Sequence, residues 1–564
     1  MSEKSKVPSA MSLLAWIVVV TMLAIGAFMV VRITLFLLSE GQWYDRLASG
    51  ALLFAECFYF INCLGYFGNV FRVITRPRGD VALPDDLPEL EEYPEVAIAV
   101  ASYREPLEVV ENNLICFRNL TYPNKQIYLL DDTRYDLKKE DAAQLQQYRA
   151  AIDDLCRRIG VNLFRRRWHG AKAGIINDLL AYLEGRPLEG SSLQHFQKTG
   201  KSGSEKYIAV FDADMNPLPD FVESIVQIME KNEKIAFVQT PQYYTNFETN
   251  RVARAAGLQQ VVFYEYICEG KSLQDAMICC GTNVMFRRKA LVEVGGFDDT
   301  SVTEDFATSI KFHSTGWSSR YFNRICAFGM GPNDLGGYFK QQFRWALGTA
   351  GLFRPVLGKM IRNPRLLSPG RWIEYLLSST YYFVGWAFLV LLICPLFYLF
   401  FDIPRYFAHP NIFFIFFVPY LSLTMVTFMN TLRAKSYRRV DMYRRVDMYN
   451  GLLPANVTFP VYMQASLLGL LGFRGKFGIT PKSGSSSLPL RSLRPQLLVM
   501  TALLGGAVWG FNRIYCIRQP VAALSVNVFW CLYNFWLLLT MFYFNRPEEI
   551  WPGVSVSADV KVYV

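Results

Sequence analysis

The stretch YIAVFDAD, residues 207–214, decides the fold class of this chain. Five residues, most of them β-branched or aromatic, run directly into Asp212 and Asp214, and so short an apolar run indicates a strand buried on both faces. Similar runs alternate with helix-like stretches, which predicts a mainly parallel sheet flanked by helices, that is, an α/β domain. These further runs are residues 96–102, 127–130 and 236–239.

The composition indicates that the 564-residue chain occupies two environments. Its 52% hydrophobic and 15% aromatic content is high for a soluble protein, and only 19% of the residues are charged. Apolar runs long enough to cross a bilayer stand on both sides of a polar insert. We expect a membrane protein with an α-helical bundle of about six spans, the fifth interrupted by Gly505 and Gly506. The expected spans are 11–38, 47–73, 373–401, 410–429, 497–511 and 521–544.

The distribution of charge sets the expected orientation and the expected partners. Lys4, Arg76 and Arg438 exemplify basic residues that gather at one side of a six-span arrangement, where cytosolic loops collect them. The net charge of +10 therefore follows from topology and lipid, without nucleic acid. We expect a multi-pass protein of the inner (plasma) membrane with a cytosolic catalytic domain. Its 11 cysteines lack metal-ligand spacing, and 4 histidines leave carboxylates as the natural metal ligands and bases.

The expected domain organisation has four parts. Two segments, 338–353 and 452–471, mix apolar residues with charges or prolines and are predicted to lie along the cytosolic membrane face. The predicted parts are two transmembrane helices in 1–80, a cytosolic α/β domain in 90–350, a transmembrane region in 351–545 with a loop at 474–487, and a short cytosolic tail in 546–564.

Two pairs of acids follow predicted strands. Asp131 and Asp132 come after 127–130, and Asp212 and Asp214 come after 207–211. Hard carboxylate oxygens at a strand end suit Mg²⁺ or Mn²⁺, which keep coordination sites open for a diphosphate. The competing interpretation of each pair is a solvated, turn-forming acid.

The segment Thr303-Glu304-Asp305 begins a predicted helix. Thr303 would cap the helix and place both carboxylates in its first turn, where the helix dipole favours ionised acids. Asp305 would then be a general base that takes a proton from an attacking sugar hydroxyl. The alternative is that both acids only complement the dipole.

The segment QQFRW, residues 341–345, combines an arginine with an indole ring. Arg344 can stabilise charge on a departing diphosphate. Trp345 offers a flat face on which a sugar ring can stack. The alternative is a structural anchor at the membrane boundary, where Trp and Arg are common.

Taken together and in this order, the motifs resemble those of the bacterial cellulose synthase catalytic subunit and its relatives, the processive family 2 glycosyltransferases. The resemblance runs from about residue 96 to the last span. It extends to further motifs: ASYREP (101–106), HGAKAG (169–174), VQTP (238–241), CGT (280–282) and FGITPK (477–482).

The resemblance implies a GT-A type catalytic domain and roles for particular residues. Asp305 would be the catalytic base, and Asp212 and Asp214 would serve the diphosphate and its metal, Asp214 more directly. The acceptor end would be lined by Cys280, Glu304, Gln341 and Trp345. The nucleotide sugar would be bound by Ser102, Glu105, Asp131, Asp132, Lys172, Asp212, Asp214, Arg344, Thr480 and Lys482.

The resemblance also implies an activity, which is polymerisation of glucose from UDP-glucose into an exported β-glucan with Mg²⁺ or Mn²⁺ as cofactor. The implied partners are the growing polysaccharide, the bilayer and accessory export subunits. The chain departs from the usual cellulose synthase pattern at Thr133 and Met215, and no carboxy-terminal PilZ domain is expected. The product therefore stays open between β-1,4, β-1,3 and mixed linkages.

Three alternatives to a glucan synthase remain. A hyaluronan- or chitin-type synthase would use another UDP-sugar, and a non-processive glycolipid transferase would make no polymer. A transporter with a degenerate cytosolic domain is disfavoured, because Glu56 and Glu374 lie singly in the spans and offer no ion relay.

Overall fold

The structure, a computed structural model, describes residues 9–39, 41–76, 89–135, 142–197, 203–403, 410–436, 445–473, 485–516 and 521–548. Its strands are β1 (Val96–Ser102), β2 (Lys125–Asp131), β3 (Asn162–Arg165), β4 (Ser192–Gln194), β5 (Tyr207–Asp212), β6 (Met215–Pro217), β7 (Ile235–Gln239), β8 (Tyr243–Tyr244), β9 (Val284–Arg287), β10 (Ser318–Tyr321) and β11 (Ala327–Gly329).

The helices before the third span are α1 (Ser9–Leu38), α2 (Trp43–Thr75), α3 (Leu107–Arg118), α4 (Ala142–Ile159), α5 (Ala171–Leu183), α6 (Phe221–Glu230), α7 (Arg251–Val262), α8 (Glu269–Ser272), α9 (Arg288–Glu293), α10 (Glu304–Ser314), α11 (Leu335–Gly351) and α12 (Phe353–Arg362). The later helices are α13 (Pro369–Thr380), α14 (Val384–Phe401), α15 (Pro410–Ser436), α16 (Arg445–Val457), α17 (Phe459–Leu470), α18 (Arg494–Tyr515) and α19 (Val521–Phe544). A π-helix, Phe263–Cys268, joins α7 to α8, and short 3₁₀ turns lie at Thr245–Phe247, Tyr381–Phe383 and Leu490–Leu493.

Eight strands of the described chain form one mixed sheet in the order β10-β7-β9-β5-β1-β2-β3-β4. β1 pairs in parallel with both β2 and β5, β2 with β3, and β7 with β10. The predicted strands at 96–102, 127–130, 207–211 and 236–239 are confirmed. The sheet is less parallel than expected, because β9 lies antiparallel between β5 and β7. A small second sheet contains β6, β11 and β8.

Helices cover both faces of the large sheet and enclose two apolar cores. One core contains side chains of α3, α4 and α6, among them Leu114, Ile152 and Ile225. The other contains side chains of α5, α9 and α10, among them Ile176 and Phe312. Strands buried on both faces explain why the sequence shows continuous apolar runs instead of alternation. This three-layer domain confirms the predicted α/β fold class.

Six helical segments of the described chain are long and apolar enough to cross a membrane, which confirms the expected number. They are Leu13–Leu38, Trp43–Thr75, Pro369–Phe401, Phe414–Thr431, Leu490–Tyr515 and Val521–Phe544. The interruption expected at Gly505 and Gly506 is wrong, because α18 is continuous there. A Cβ at Gly506 would lie 2.5 Å from Leu396 Cδ2, so this glycine lets α18 approach α14 closely.

The acids of the spans are not single, contrary to the sequence analysis. Arg32 Nε lies 2.8 Å from Glu56 Oε2 between α1 and α2, and both side chains are almost fully buried. The sequence analysis overlooked Arg32 because it stands within a long apolar run. A buried carboxylate requires such a partner, since an unpaired charge in an apolar environment is costly.

A second polar cluster, which we call the Glu374 cluster, consists of Asn69, Arg72, Lys271 and Glu374. Arg72 Nη1 lies 2.9 Å from Glu374 Oε1, and Lys271 Nζ lies 3.4 Å from Glu374 Oε2. Asn69 Nδ2 donates to Glu374 Oε2 at 3.4 Å. Because these residues belong to α2, α8 and α13, the cluster joins the second span and the third span to the α/β domain.

The two segments expected along the membrane face form helices that pack against each other. α11 covers most of 338–353, and α16 and α17 together cover most of 452–471. α11 packs against α17 through Ala346, Leu347 and Tyr462. A Cβ at Gly469 would lie 2.4 Å from the carbonyl oxygen of Leu347, so the two backbones are in near contact. The tail 549–564 and residues 474–484 lie outside the described residues.

Candidate active site

The carboxyl ends of β1, β2 and β5 meet at one edge of the sheet. Ser102 stands opposite Asp131 in the register of β1 and β2. On the other side of β1, Ala101 stands opposite Asp212. β2 lies on one side of β1 and β5 lies on the other, so the strand order reverses at β1. Ligands of open α/β sheets bind outside the carboxyl ends of the strands at such a point. Three of the predicted site residues, Ser102, Asp131 and Asp212, are thus brought to this edge.

Lys172, in the first turn of α5, connects two parts of this edge. Its Nζ donates to Asp212 Oδ1 at 2.5 Å and to the carbonyl oxygen of Gly281 at 2.6 Å. Burial alone would lower the pKa of the Lys172 ammonium, but the Asp212 carboxylate outweighs it and raises the pKa above its ordinary value. Lys172 therefore stays cationic and fixes the loop at Gly281 beside the aspartates of β5.

Asp305 approaches the same loop from the start of α10. Its Oδ2 lies 3.1 Å from the point that a Cβ on Gly281 would occupy. Gly281 has a φ of +84°, so this close approach uses a residue without a side chain. Burial raises the pKa of the Asp305 carboxyl group, while the Phe306 N–H and the charges of Lys172 and Arg344 oppose the rise. Asp305, Lys172 and the β5 aspartates thus form one electrostatic group.

Glu304 precedes Asp305 and shares its buried environment. Burial, followed by the charge of Asp305, raises the pKa of Glu304 to about 7. Two neighbouring acids with raised pKa values in one cleft are characteristic of sites where proton transfer occurs.

The expected capping role of Thr303 is wrong in its detail. Thr303 occupies the N-cap position of α10, but its side chain makes no capping hydrogen bond. Asp305 Oδ1 accepts from the Phe306 N–H at 2.8 Å instead. The Thr303 side chain packs against Gly348 of α11, where a Cβ would come within 2.3 Å of Thr303 Cγ2. The Thr303 side chain therefore contributes to the contact between α10 and α11 and does not cap α10.

Helix α11 presents the QQFRW segment beside this group. The charge of Arg344 acts on Asp305, which lies on the helix that contacts α11 at Gly348. Gln341 Nε2 lies 3.4 Å from the Tyr244 hydroxyl, and Gln342 Oε1 accepts from Tyr462 of α17 at 3.0 Å. Trp345 is partly exposed on the same helix.

Asp131 and Asp132 differ in their surroundings. Arg165 Nε and the Tyr135 hydroxyl both donate to Asp131 Oδ2 at 2.7 Å, so this buried carboxylate holds the loop that follows β2. Asp132 Oδ1 lies 2.9 Å from Arg166 Nη2. Burial raises the pKa of Asp132 to about 7, although Arg166 opposes the rise.

The remaining predicted residues flank this edge. The Tyr148 hydroxyl donates to the Glu105 carbonyl oxygen at 2.8 Å. The Cys280 N–H donates to Gln239 Oε1 at 2.8 Å, and Gln239 Nε2 donates to the Thr282 carbonyl oxygen at 2.7 Å. Gln239 thus supports the loop between Cys280 and Thr282. Thr480 and Lys482 lie outside the described residues.

Sequence reasoning missed the residues that hold the site together. Arg165, Arg166 and Gln239 bind the predicted acids or their loops, and none was singled out. Gln239 stood in the quoted VQTP motif, and a buried polar residue at a strand end is a signal that could have identified it. Arg165 ends β3 and Arg166 follows it, just as Asp131 and Asp212 end β2 and β5.

The fit of a divalent cation rests on Asp212 and Asp214. Both lie at the carboxyl end of β5 and are partly exposed, and their oxygens are the donors that Mg²⁺ and Mn²⁺ prefer. Among the described residues, no group of three or more His, Cys, Asp or Glu side chains is placed so that it could hold a metal ion by itself. The donor set suits an ion that binds mainly through a substrate diphosphate, and the two residues fit such an ion.

Comparisons with known proteins agree with this arrangement. Residues 97–295 match the model of "Glycosyl transferase family 2", and residues 207–430 match that of "Glycosyl transferase family group 2". The UDP-forming cellulose synthase catalytic subunit of Pseudomonas fluorescens SBW25 is 28% identical over 547 residues, which cover 94% of this chain and 66% of that protein. Cellulose synthase 1 of Komagataeibacter xylinus is 25% identical over 529 residues, 91% of this chain and 31% of that protein.

Two further findings complete the comparison. This chain spans 66% or less of the length of these relatives. A solved mannosyltransferase of Pyrobaculum calidifontis, in complex with GDP-Man and Mn²⁺, is 15% identical with a TM-score of 0.47, covering 75% of this chain and 99% of that one.

Proposed function

Because this chain contains a family 2 glycosyltransferase domain of the cellulose synthase catalytic subunit type, we propose that it is a processive, inverting β-glycosyltransferase. It transfers glucose from UDP-glucose to the end of a β-glucan and exports the polymer through its own membrane helices. One observation carries the proposal, namely that Lys172 bonds both Asp212 and Gly281 while Asp305 lies against Gly281. This arrangement brings a base, a fixed cation and diphosphate-binding acids to one sheet edge.

The chain's own residues account for the chemistry in the following way. The acceptor hydroxyl oxygen attacks the anomeric carbon, the bond to the diphosphate breaks, and the hydroxyl proton passes to Asp305. A positioned base of this kind contributes about 10²- to 10⁴-fold in rate. Arg344 stabilises the negative charge that develops on the departing UDP. Attack from the side opposite the diphosphate inverts the anomeric configuration.

Asp214 and Asp212 would hold the divalent cation. When bound, it neutralises charge on the donor diphosphate. We expect EDTA to abolish UDP release, and Asp214→Asn to lower it strongly while the thermal unfolding midpoint of the purified chain stays near that of the wild type. Full turnover in EDTA would contradict the metal assignment.

Other residues extend the proposed site on either side of these groups. Ser102, Glu105, Asp131 and Asp132 surround the nucleoside, and Cys280, Glu304, Gln341 and Trp345 line the acceptor end. Thr480 and Lys482 complete the donor site. Support for the donor side comes from the adjoining carboxyl ends of β1, β2 and β5. Support for the acceptor side comes from the contact of α10 with α11.

The deciding experiment incubates the purified full chain in lipid nanodiscs with UDP-glucose and Mg²⁺ or Mn²⁺, and measures UDP release and polymer length. Digestion with β-1,4- and β-1,3-specific glucanases then identifies the linkage. Parallel reactions with other UDP-sugars test a hyaluronan- or chitin-type activity, and a short lipid-linked product would indicate a non-processive glycolipid transferase. No UDP release with any of these donors would refute the proposal.

A further inference from the structure

Arg104 follows β1 in a backbone conformation that residues with side chains rarely adopt. Its φ is +52°, in the left-handed region, where glycine is the usual occupant. Its N–H donates to Thr133 Oγ1 at 3.3 Å and so ties it to the loop that carries Asp131 and Asp132. Strained positions of this kind persist where the surroundings enforce them, and they collect at binding sites.

The guanidinium group of Arg104 has an unused edge. Its Nε and Nη2 are shielded from solvent and have no hydrogen-bond partner among the described residues. Buried polar atoms of native proteins almost always have a partner, so two of them on one group call for a ligand.

The acids of the adjoining β2 end do not serve Arg104, because other arginines pair with them. Asp131 is bound by Arg165, and Asp132 is bound by Arg166. The contrast is informative, since Arg165 at the end of β3 and Arg166 after it are both paired with carboxylates. Arg104 differs from them, because its Nε and Nη2 are both buried and both without a hydrogen-bond partner in the described chain.

The geometry of the fork selects the chemistry of the missing ligand. Nε–H and Nη2–H lie on the same edge of the planar group and point in parallel, so they fit two oxygens carried by one atom, as in a phosphate. Uracil presents an N–H between two carbonyl groups and offers no pair of adjacent acceptors on its pairing edge. A base of this kind cannot accept both hydrogen bonds.

We infer that Arg104 binds a phosphate group of the nucleotide donor through Nε–H and Nη2–H. This inference rests on the proposed function and adds to it a donor-binding residue that lies on the opposite side of β1 from Lys172 and Asp212. The position gives a reason for keeping a strained backbone, because that backbone bonds Thr133 and so holds Arg104 against the loop that follows β2.

The test measures the Kd of the full chain in nanodiscs for UDP and for uridine, by isothermal titration. Arg104→Gly removes the fork and at the same time suits the positive φ, so a loss of binding cannot come from local misfolding. We expect UDP affinity to fall roughly 10- to 100-fold, which is the range of a bidentate, charge-assisted interaction. Uridine affinity should stay unchanged, because uridine lacks a phosphate.

Two control variants sharpen the test. Arg104→Lys keeps the charge but not the fork, and should retain only part of the UDP affinity. Arg118→Ala removes an exposed arginine at the end of α3 and should change neither Kd.

The inference is overturned if Arg104→Gly binds UDP as the wild type does. It is equally overturned if uridine affinity falls as much as UDP affinity, since Arg104 would then serve the nucleoside. If the wild-type chain binds neither UDP nor uridine, the proposed function fails together with this site. That result is distinct from the first two outcomes, in which the wild type binds UDP.

Discussion

At the scale of single residues, the proposed proton transfer depends on the buried carboxylate of Asp305 and on the fixed ammonium of Lys172 beside it. Lys172 has two strong acceptors, Asp212 Oδ1 and the Gly281 carbonyl oxygen, and is held as a cation. Asp305 lies against the same glycine with the carboxylate of a neighbouring acid beside it. A cation near the base keeps a fraction of it ionised despite burial, as a proton acceptor requires.

Replacement of Asp305 by Asn tests this role most directly. We expect Asp305→Asn to bind UDP with wild-type affinity and to lose about 10²- to 10⁴-fold in the rate of UDP release, because the amide cannot accept the proton. The rate is measured with a coupled UDP assay under saturating donor. Glu293→Gln, an exposed acid of the same domain, is the matched control. A wild-type rate for Asp305→Asn would move the base to another residue.

The pH profile carries a second prediction. The base must be deprotonated, and burial raises the pKa of Asp305, so activity should fall as the pH drops through this raised value. The charge of Glu304 and that of Asp305 repel each other, which contributes to raising the pKa of Glu304 to about 7. Glu304→Gln removes one negative charge, and the acidic limb of kcat against pH should therefore move to lower pH. A limb that moves upward or stays in place would show that Asp305 does not set it.

Many of the candidate site residues could be predicted from residue type and spacing, but the arginines that pair with the acids could not. Asp212 directly follows a predicted strand, and Glu304 and Asp305 begin a predicted helix. Local sequence patterns are therefore enough to predict where these three acids lie. The arginine partners of Asp131 and Asp132 lie at the end of β3 and directly after it, more than thirty residues away, and nothing local pairs Arg165 or Arg166 with either acid. Long-range pairing depends on strand order, which the sequence pattern leaves open.

At the scale of elements, the contact between α10 and α11 fixes the base relative to the QQFRW segment. Thr303 and Gly348 meet so closely that no Cβ fits at Gly348 without movement. The sequence could predict that both helices exist, from their periodicity and charges, but not that a threonine in the capping position would turn toward another helix. Local capping rules describe one helix at a time, and here tertiary packing prevails.

Gly348→Ala tests the contact. The added Cβ would push the start of α10 away from α11, so we expect the rate of UDP release to fall by at least tenfold while UDP affinity changes little. Thr303→Ala removes the colliding Cγ2 and Oγ1, and the double variant Gly348→Ala/Thr303→Ala should recover part of the rate. Additive losses in the double variant would mean that the two residues act independently.

At the scale of the whole molecule, the six candidate spans and the basic loops define which end of each helix faces the cytosol. If the α/β domain faces the cytosol as proposed, we expect Asp402, Arg513 and Cys516, at the other ends of α14 and α18, to lie on the opposite side of the membrane. Arg513 pairs with Asp402 there, which closes the outer end of α14 against α18.

Cysteine labelling of intact cells tests this orientation. Cys516 is exposed, whereas Cys116 belongs to the α/β domain. A membrane-impermeant maleimide added outside spheroplasts should label Cys516 at once and Cys116 only after permeabilisation, as judged by mass spectrometry. Cys516→Ser should lose the outside signal. Labelling of Cys116 in sealed spheroplasts would place the catalytic domain outside.

The Glu374 cluster has a consequence for the order in which the protein can be built on the ribosome. Arg72 and Glu374 are 302 positions apart in the chain. At a synthesis rate of about 5–20 residues per second, Glu374 is added to the chain on the order of 15–60 s after Arg72. During that interval the first helical hairpin must reside in the bilayer with its basic end solvated by water and lipid headgroups. The α/β domain is translated within the same interval, and Glu269 of this domain pairs with Arg76 at the end of α2. The domain can therefore dock onto the hairpin first, and the third span then completes the cluster with Glu374.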